Sequence, residues 1–349
     1  QVPTMSEKPF SRRSFVKTVG AAVSVAAGGT FAVDRASADT AWQEAESPTA
    51  KTLFGVSNTV RGPHAVGATG NVLARRSDGW ETVVSTGPAA RSSSLRTSAV
   101  TDDYRRVWFA GASGALGCYD VEEGLKYDYS APNGMTSTWE GISVTGDQGS
   151  ETVHVYNGSG EHVIGSYDEE NCIVFGTAKK PGGGSRVPAV DFREAETSVG
   201  HAVDTSSQVY ETTDGGETWQ NVGIPNSQVG IYDVISYLDS DDNEFVYAAA
   251  GGGYLYRMNC DCDTWTPIGL GTKKLTGVAH DMDDNLLVCG SSSTIYEKIA
   301  TESWKPLESP IQANFKEGIY GRMTYDNGEQ MPDVIVGTSG KIVERFEEN

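Results

Sequence analysis

A short turn of small residues recurs seven times along this chain of 349 residues. Each turn stands between two short apolar segments that are rich in β-branched and aromatic residues. The turns read GATG (67–70), GASG (111–114), NGSG (157–160), DTSS (204–207), AGGG (250–253), GSSS (290–293) and GTSG (337–340). Their first residues are 44, 46, 47, 46, 40 and 47 positions apart. A period of this length, with strands on both sides of a tight turn, is typical of propeller blades. The sequence therefore predicts an all-β, seven-bladed β-propeller.

The outermost strand of a blade is marked by a tryptophan that follows the turn in four units, namely Trp80, Trp219, Trp265 and Trp304. The last unit runs to Asn349 without such a residue, whereas Trp42 stands alone before the first unit. We therefore expect a strand at about 41–44 to complete the last blade. A ring closed in this way leaves no free sheet edge for aggregation.

The first 38 residues are typical of an export signal. Residues 11–17 (SRRSFVK) resemble the twin-arginine motif, an Ala/Gly/Val-rich stretch follows at about 18–33, and Ala36-Ser37-Ala38 forms a small-residue cleavage site. We expect residues 1–38 to be a signal peptide read by the twin-arginine translocase, and residues 39–349 to be the propeller. The mature chain is then expected outside the cell or at its surface, with no membrane span.

The charge balance excludes some classes of partner. Loss of residues 1–38 would leave 22 Lys and Arg against 45 Asp and Glu, which is a formal charge of −23. Such a surface repels nucleic acid and anionic lipid. Together with the export motif, this balance resembles that of secreted haloarchaeal proteins, in which acidic side chains serve solvation in high salt. A surface that buffers cations or binds a basic partner is the alternative.

One unit carries a specific motif at residues 212–219 (TTDGGETW). This segment resembles the Asp-box of the bacterial neuraminidase (BNR) repeat, and the whole chain resembles BNR/Asp-box and YVTN-like propellers, including the group similar to photosystem assembly factors. In this motif Asp214 is expected to cap backbone N–H groups, Gly215 and Gly216 to permit the tight turn, and Trp219 to pack between blades. The motif is structural and lies away from the propeller axis.

The candidate binding site is the mouth of the central channel. Residues that open the innermost strands of a propeller surround this mouth, and here they include cationic and aromatic side chains: Arg96, Trp139, Arg186, Tyr232, Lys274, Lys316 and Tyr320. Such a set suits an anionic small molecule, a sugar polymer or the tail of a partner protein. We expect a non-catalytic binding or scaffold module for a protein or glycan at the cell surface, with no cofactor. A packing role for these residues is the alternative, as is a structural component of a cell envelope or filament.

An enzymatic alternative comes from residues 185–190 (SRVPAV), which resemble the Arg-Ile-Pro motif of sialidases. That resemblance implies a glycosidase in which Arg186 binds a substrate carboxylate through its planar guanidinium. A sialidase has six blades, two further arginines and a Tyr–Glu pair. Arg96 and Arg322 are available arginines, but the sequence does not identify the remaining residues.

Metal sites are not predicted. Cys260 and Cys262 lie on one turn with two aspartates, and the sequence leaves open whether these thiols are free, bridged or metal-bound. The acidic turns at 239–244 and 281–285 resemble calcium loops. They lack the glycine and the distant glutamate of an EF-hand, and Asp and Asn are also what a hairpin turn requires.

The formal charge predicts that salt stabilises the protein. Repulsion between surface carboxylates is weakly screened in dilute buffer and strongly screened in concentrated salt. We expect the melting temperature to rise when about 0.1 M KCl is replaced by multimolar KCl. A melting temperature that stays flat or falls would show that the acidity is not an adaptation to salt.

Overall fold

The strands of the chain form seven separate antiparallel sheets, each of four strands. The computed structural model describes residues 41–346, except 195, 260–263, 301, 322 and 326, so the predicted signal peptide lies outside the described residues. No helix within these ranges has the length and apolarity needed to cross a bilayer. The sheets confirm the predicted seven-bladed propeller, with one recurring turn in each blade.

Six blades follow the order of the chain, and the first strand of each is the innermost. Blades 1 to 3 consist of β2 (Leu53–Ser57), β3 (His64–Gly67), β4 (Val72–Arg76) and β5 (Gly79–Val84); β6 (Leu95–Val100), β7 (Arg106–Gly111), β8 (Leu116–Asp120) and β9 (Leu125–Asp128); and β10 (Trp139–Thr145), β11 (Thr152–Asn157), β12 (His162–Tyr167) and β13 (Ile173–Phe175). Blades 4 to 6 consist of β14 (Ala189–Phe192), β15 (Gly200–Val203), β16 (Val209–Thr212) and β17 (Gln220–Asn221); β18 (Ile231–Leu238), β19 (Glu244–Ala250), β20 (Tyr254–Asn259) and β21 (Thr264–Gly269); and β22 (Leu275–His280), β23 (Leu286–Gly290), β24 (Ile295–Lys298) and β25 (Lys305–Pro306).

The seventh blade joins the two ends of the propeller. Its three inner strands are β26 (Phe315–Ile319), β27 (Asp333–Gly337) and β28 (Ile342–Arg345), and its outer strand is β1 (Gln43–Ala45). Strand β1 pairs antiparallel with β28, with Gln43 opposite Glu344 and Ala45 opposite Ile342. The predicted closure is therefore confirmed, and the closing strand lies within a residue or two of the predicted position.

The hydrophobic core is divided into clusters that lie between neighbouring blades. In the described chain each cluster draws residues from two adjacent sheets, and the seven clusters account for the seven interfaces of the ring. For example, Trp108 of blade 2 packs with Val153 and Val155 of blade 3. A single four-stranded blade cannot bury both of its faces alone. Each blade is therefore stable only between two others.

The recurring turns lie on the face of the ring where the innermost strands begin. In five of the seven turns the last residue is a glycine that lies against the segment leading into the next blade, which leaves no room for a side chain. A Cβ on Gly253 would lie 2.4 Å from the carbonyl carbon of Gly271, and Gly253 has φ +78°, a value that favours glycine. These constraints explain why small residues recur there at a fixed period.

Polar side chains tie successive innermost strands to one another around the channel. The backbone N–H of Ser236 donates to Asp191 Oδ2 at 2.8 Å, which links blade 5 to blade 4. Asn58 Nδ2 donates to the carbonyl oxygen of Tyr320 at 2.6 Å, which links blade 1 to blade 7. The inner edge of an innermost strand has no neighbouring strand, so its backbone N–H and C=O groups lack partners within the sheet. These side chains form hydrogen bonds with some of those groups.

Ion pairs tie the blades together on the opposite face. Arg106 Nη1 lies 2.6 Å from Glu151 Oε1 across blades 2 and 3, and both side chains are buried. The Arg345 side chain contacts Glu297 of blade 6 at 2.6 Å and Asp333 of its own blade at 2.7 Å. These bidentate and networked contacts fix the orientation of one blade against the next.

The first stability prediction concerns the closing strand. Trp42 is only 5% exposed and packs in the cluster between blades 6 and 7, with the Arg345 guanidinium over its ring at 5.0 Å. Trp42→Ala is expected to lower the free energy of unfolding by about 3–5 kcal/mol, as for other buried aromatic residues. Leu125→Ala on an exposed outer strand, where the side chain is 50% exposed, serves as the control. Denaturant unfolding with equal losses in both variants would contradict the assigned role of Trp42.

A second stability prediction follows from buried histidines. Burial lowers the pKa of His64 and that of His154 from 6.5 to about 3, and it also lowers the pKa of His162 and of His201. These histidines therefore bind fewer protons in the folded chain than in the unfolded chain between pH 6.5 and 3, and their contribution to stability falls as the pH decreases through this range. Each histidine with a pKa of about 3 costs about 2 kcal/mol at pH 5.

We expect the unfolding free energy, followed from pH 7 to pH 5, to decrease steeply in the native chain and less steeply in His64→Gln. An equal slope in both proteins would show that His64 is not the origin of the acid sensitivity.

Candidate functional site

The innermost strands open with the same backbone geometry around the ring. In six blades the first residue pairs with the recurring turn, the next residue is skipped by the pairing register, and the third residue resumes it. The first residue is buried between blades, as Leu53, Leu95 and Phe315 show. The skipped residue is a bulge, and a bulge turns its side chain out of the regular alternation. These bulged side chains stand at the mouth of the channel.

The residue before the buried position is also equivalent from blade to blade. Its carbonyl oxygen accepts a hydrogen bond from the recurring turn of the same blade. The Arg186 carbonyl accepts from the Thr205 N–H at 3.0 Å, and the Lys274 carbonyl accepts from the Ser291 N–H at 2.9 Å. Arg186 and Lys274 therefore occupy equivalent positions relative to the recurring turns of their blades. This residue and the bulged one flank the buried position on its two sides.

We call one residue from each blade the mouth ring. Five of its members are bulged residues, namely Phe54, Arg96, Glu140, Tyr232 and Lys316. In blades 4 and 6 the member is the residue before the buried position, Arg186 or Lys274, and the bulged residue of blade 6 is Thr276. Four cations, one carboxylate and two aromatic rings thus converge on one end of the propeller. Five of these residues are among those that the sequence predicted for the channel mouth.

The contacts within the mouth ring pair each aromatic ring with a cation. Lys274 Nζ lies 4.1 Å from the centroid of Tyr232, and the Arg96 guanidinium lies 4.7 Å from the centroid of Phe54. Arg186 Nη2 lies 2.9 Å from Glu140 Oε2. Arg96, Lys274 and Lys316 have no carboxylate ion pair with any residue that the structure describes. The mouth ring therefore carries three cations in excess of its one internal ion pair.

Burial and then the excess of positive charge in the mouth ring lower the pKa values of its two lysines. Burial, followed by the charges of Lys316 and Arg186, lowers the pKa of Lys274. Burial, followed by the charges of Arg96 and Arg186, lowers the pKa of Lys316. Cations on four different blades are thus close enough to repel one another. An anion bound among them would relieve this repulsion, because opposite charges favour the protonated lysine.

Two residues predicted for the mouth lie elsewhere. Trp139 is 0% exposed and occupies the buried position of blade 3, one residue before the bulge at Glu140. Tyr320 is 4% exposed, follows the far end of β26, and donates its hydroxyl to Glu297 at 3.2 Å. Both are core residues, and the structure brings neither into the mouth ring. Phe54 and Glu140 take part in the ring without having been predicted.

Carboxylates lie one residue deeper than the mouth ring. Asp233 follows the bulged Tyr232, and Glu317 follows the bulged Lys316. Asp233 Oδ2 accepts from the Val278 N–H at 2.7 Å, and its Oδ1 accepts from the Val234 N–H at 2.9 Å. Burial and the charge of Asp191 nevertheless raise the pKa of Asp233 to about 7, and burial with the charge of Asp233 raises the pKa of Glu317. We call Asp191, Asp233 and Glu317 the channel acids.

The Asp-box forms a tight turn between β16 and β17. Asp214 Oδ1 accepts from the Thr218 N–H at 2.8 Å, and Thr218 Oγ1 donates to Asp214 Oδ2 at 2.6 Å. These hydrogen bonds from Thr218 lower the pKa of Asp214 to about 2. Gly215 and Gly216 have φ values of +71° and +83°. The Trp219 ring contacts Tyr156 and His162 of blade 3 edge-on, so the motif joins two blades and lies away from the mouth ring.

The acidic turns use their first carboxylate to cap the backbone. Asp239 Oδ1 accepts from the N–H groups of Asp241 and Asn243 at 2.9 and 2.8 Å, and Asp281 makes the equivalent pair of bonds with Asp283 and Asn285, both at 2.9 Å. Within the described ranges, no group of three or more His, Cys, Asp or Glu side chains is arranged to hold a metal ion. Cys260, Cys262 and Arg322 lie outside the described residues.

No protein-family model and no curated protein sequence matches the chain. Solved structures do match its fold. YCF48 from Cyanidioschyzon merolae has a TM-score of 0.64 and 14% identity, over 88% of this chain and 99% of that one. A structure of YCF48 bound to D1 peptide has a TM-score of 0.65 and 11% identity, over 88% of this chain and 97% of that one. The WD40 propeller domain of Doa1 has a TM-score of 0.65 and 11% identity, over 89% of this chain and 98% of that one. At these identities the shared property is the seven-bladed fold.

Proposed function

We propose that this chain is an exported, non-catalytic propeller that binds an anionic segment of a partner protein at the mouth ring. The observation that carries the proposal is the convergence of Arg96, Arg186, Lys274 and Lys316 from four blades, of which only Arg186 has a carboxylate partner in the described structure. Cations that repel one another in this way persist when they serve a ligand, since their proximity costs stability.

The charge of the whole chain strengthens this interpretation. Lys and Arg total 27 against 47 Asp and Glu, so a surface patch of this protein drawn at random is acidic. Four cations gathered at one end of the channel depart from that background. Lys274 and Lys316 are partly buried, so salt screens their interaction with a ligand less than it screens an exposed pair. The site could therefore work in the saline medium that the acidic surface predicts.

The aromatic members of the ring give the site a second kind of contact. Tyr232 and Phe54 present ring faces beside Lys274 and Arg96, and these faces can pack against the aliphatic parts of a peptide. One matching propeller, YCF48, has been solved with D1 peptide bound, which shows that a peptide is a feasible ligand for this fold. The recurring turns surround the ring with small side chains, so a segment can approach along the propeller axis.

The test is binding of a fluorescein-labelled deca-glutamate peptide, followed by anisotropy. Arg96→Gln and Lys316→Gln are each expected to weaken binding about tenfold, because each removes one positive charge from the mouth ring. Lys305→Gln removes the same charge from an exposed outer strand and is expected to have little effect. All variants should melt close to the native temperature.

Three outcomes would change the assignment. Equal affinity of the native chain and both mouth variants for the peptide would exclude the mouth ring as the site. Preference for a sulfated or uronate-containing glycan over the peptide would replace the partner protein by a glycan. Turnover of a sialoside reporter, with loss of activity in Arg186→Ala, would support the sialidase-like alternative.

A further inference from the structure

We propose that the channel acids below the mouth ring regulate it, so that anions bind tightly when Asp233 and Glu317 are protonated and weakly when they are ionised. This inference rests on the proposed function, because it concerns the same site. It adds a property that the mouth ring alone would not have, namely coupling of ligand binding to proton uptake within the neutral pH range.

The first basis is the position of the two carboxylates. The innermost strands place Asp233 directly after Tyr232 and Glu317 directly after Lys316, so each acid is the chain neighbour of a ring member. Strand β22 lies between β18 and β26, and it carries glycine at the equivalent position, Gly277. A Cβ on Gly277 would lie 3.1 Å from the Glu317 Cα and 2.9 Å from Cys289 Sγ. The missing side chain lets β26 pack closely against β22, whose Val278 N–H also binds the Asp233 carboxylate.

The second basis is the set of groups that face these carboxylates. Asp191 of β14 acts on Asp233, both acids act on the Cys289 thiol of β23, and Lys316 of the mouth ring acts on the same thiol. The pKa of the Cys289 thiol is raised by burial and by the charges of Glu317 and Asp233. The three carboxylates are half-buried, and the neighbouring thiol is buried. Ionisation of both acids there is unfavourable, because like charges are poorly screened.

The consequence for the ligand follows from the sign of these charges. Protonated acids leave the excess of the ring's positive charge unopposed. Ionised acids place two negative charges beneath the cations, where they offset the ring and repel an incoming anion. The Asp233 pKa of about 7 puts this change near neutrality. By linkage, a bound anion also raises the proton affinity of the acids, so binding takes up protons.

The size of the effect can be estimated from Coulomb's law. At an effective dielectric constant of about 20, a charge about 10 Å from the bound anion changes its affinity roughly tenfold. The lysines of the ring act in the same direction at alkaline pH, since their pKa values are lowered. An experiment must therefore separate the acids from the lysines.

Inositol hexasulfate is a suitable probe, because sulfate esters do not titrate between pH 5.5 and 8. Its affinity for the native chain, measured by calorimetry, is expected to be roughly tenfold higher at pH 5.5 than at pH 8. In Asp233→Asn/Glu317→Gln the affinity should be high at both pH values, and proton uptake measured in buffers of different ionisation enthalpy should disappear. Glu302→Gln, on an exposed loop, is the matched control and should retain the native pH dependence.

The outcomes separate the inference from the proposed function. Binding that depends on Arg96 and Lys316 but has the same pH profile in the native and double-variant proteins would overturn the regulation and leave the site intact. Absence of binding in both proteins at both pH values would overturn the site and its regulation together. If the double variant does not fold, Glu317→Gln alone is used, because the Glu317 carboxylate has no side-chain partner in the described structure, and it should weaken the pH dependence by about half.

Discussion

Packing between blades is the interaction on which the rest of this structure depends. The hydrophobic clusters do not lie within blades but across the interfaces between them, so each sheet is stable only when both neighbours are present. The stabilisation is complete only when the ring closes, and closure uses a three-residue strand held by backbone pairing to β28. Trp42 next to this strand inserts into the last interface. A short segment at one end of the domain therefore completes an assembly of more than 300 residues.

The candidate site is a product of the same repeat. Each innermost strand must place its first residue in the core between blades, and the bulge that follows releases the next side chain from the strand's alternation. The bulge therefore creates a position that is repeated around the axis and that packing does not control. The side chains at this position differ from blade to blade within one fold, and in this chain they are Arg, Lys, Tyr, Phe, Glu and Thr. Residues that bind a ligand can therefore stand at positions that do not pack in the hydrophobic core.

The sequence predicted the fold better than it predicted the site, and the reason is physical. Blade number and ring closure were predicted from the repeat period, the composition of the turns and the position of Trp42 before the first unit. All three can be read directly from the sequence. The site depends on a shift of one residue at the bulge, which period alone does not show. Trp139 and Glu140 are neighbours in sequence, yet one is fully buried and the other stands in the mouth ring. Asp233 and Glu317 were not predicted because acidic residues are common in this chain, and only their position directly after a bulge distinguishes these two.

The cations lie at the mouth of the channel, and Asp233 and Glu317 lie one residue further along the innermost strands. This arrangement explains how an acidic protein can bind an anion at the mouth ring. The surface carries a large negative charge, which would repel an anion at long range in dilute solution. Concentrated salt shortens the reach of this repulsion to a few ångströms. The partly buried lysines of the mouth ring, Lys274 and Lys316, then dominate at contact, since the low dielectric of their surroundings weakens their interactions least. The channel acids are half-buried as well, so in the proposed regulation their protonation still acts on the ligand when surface charges no longer do. High salt thus leaves the mouth ring and the channel acids as the electrostatic determinants of binding.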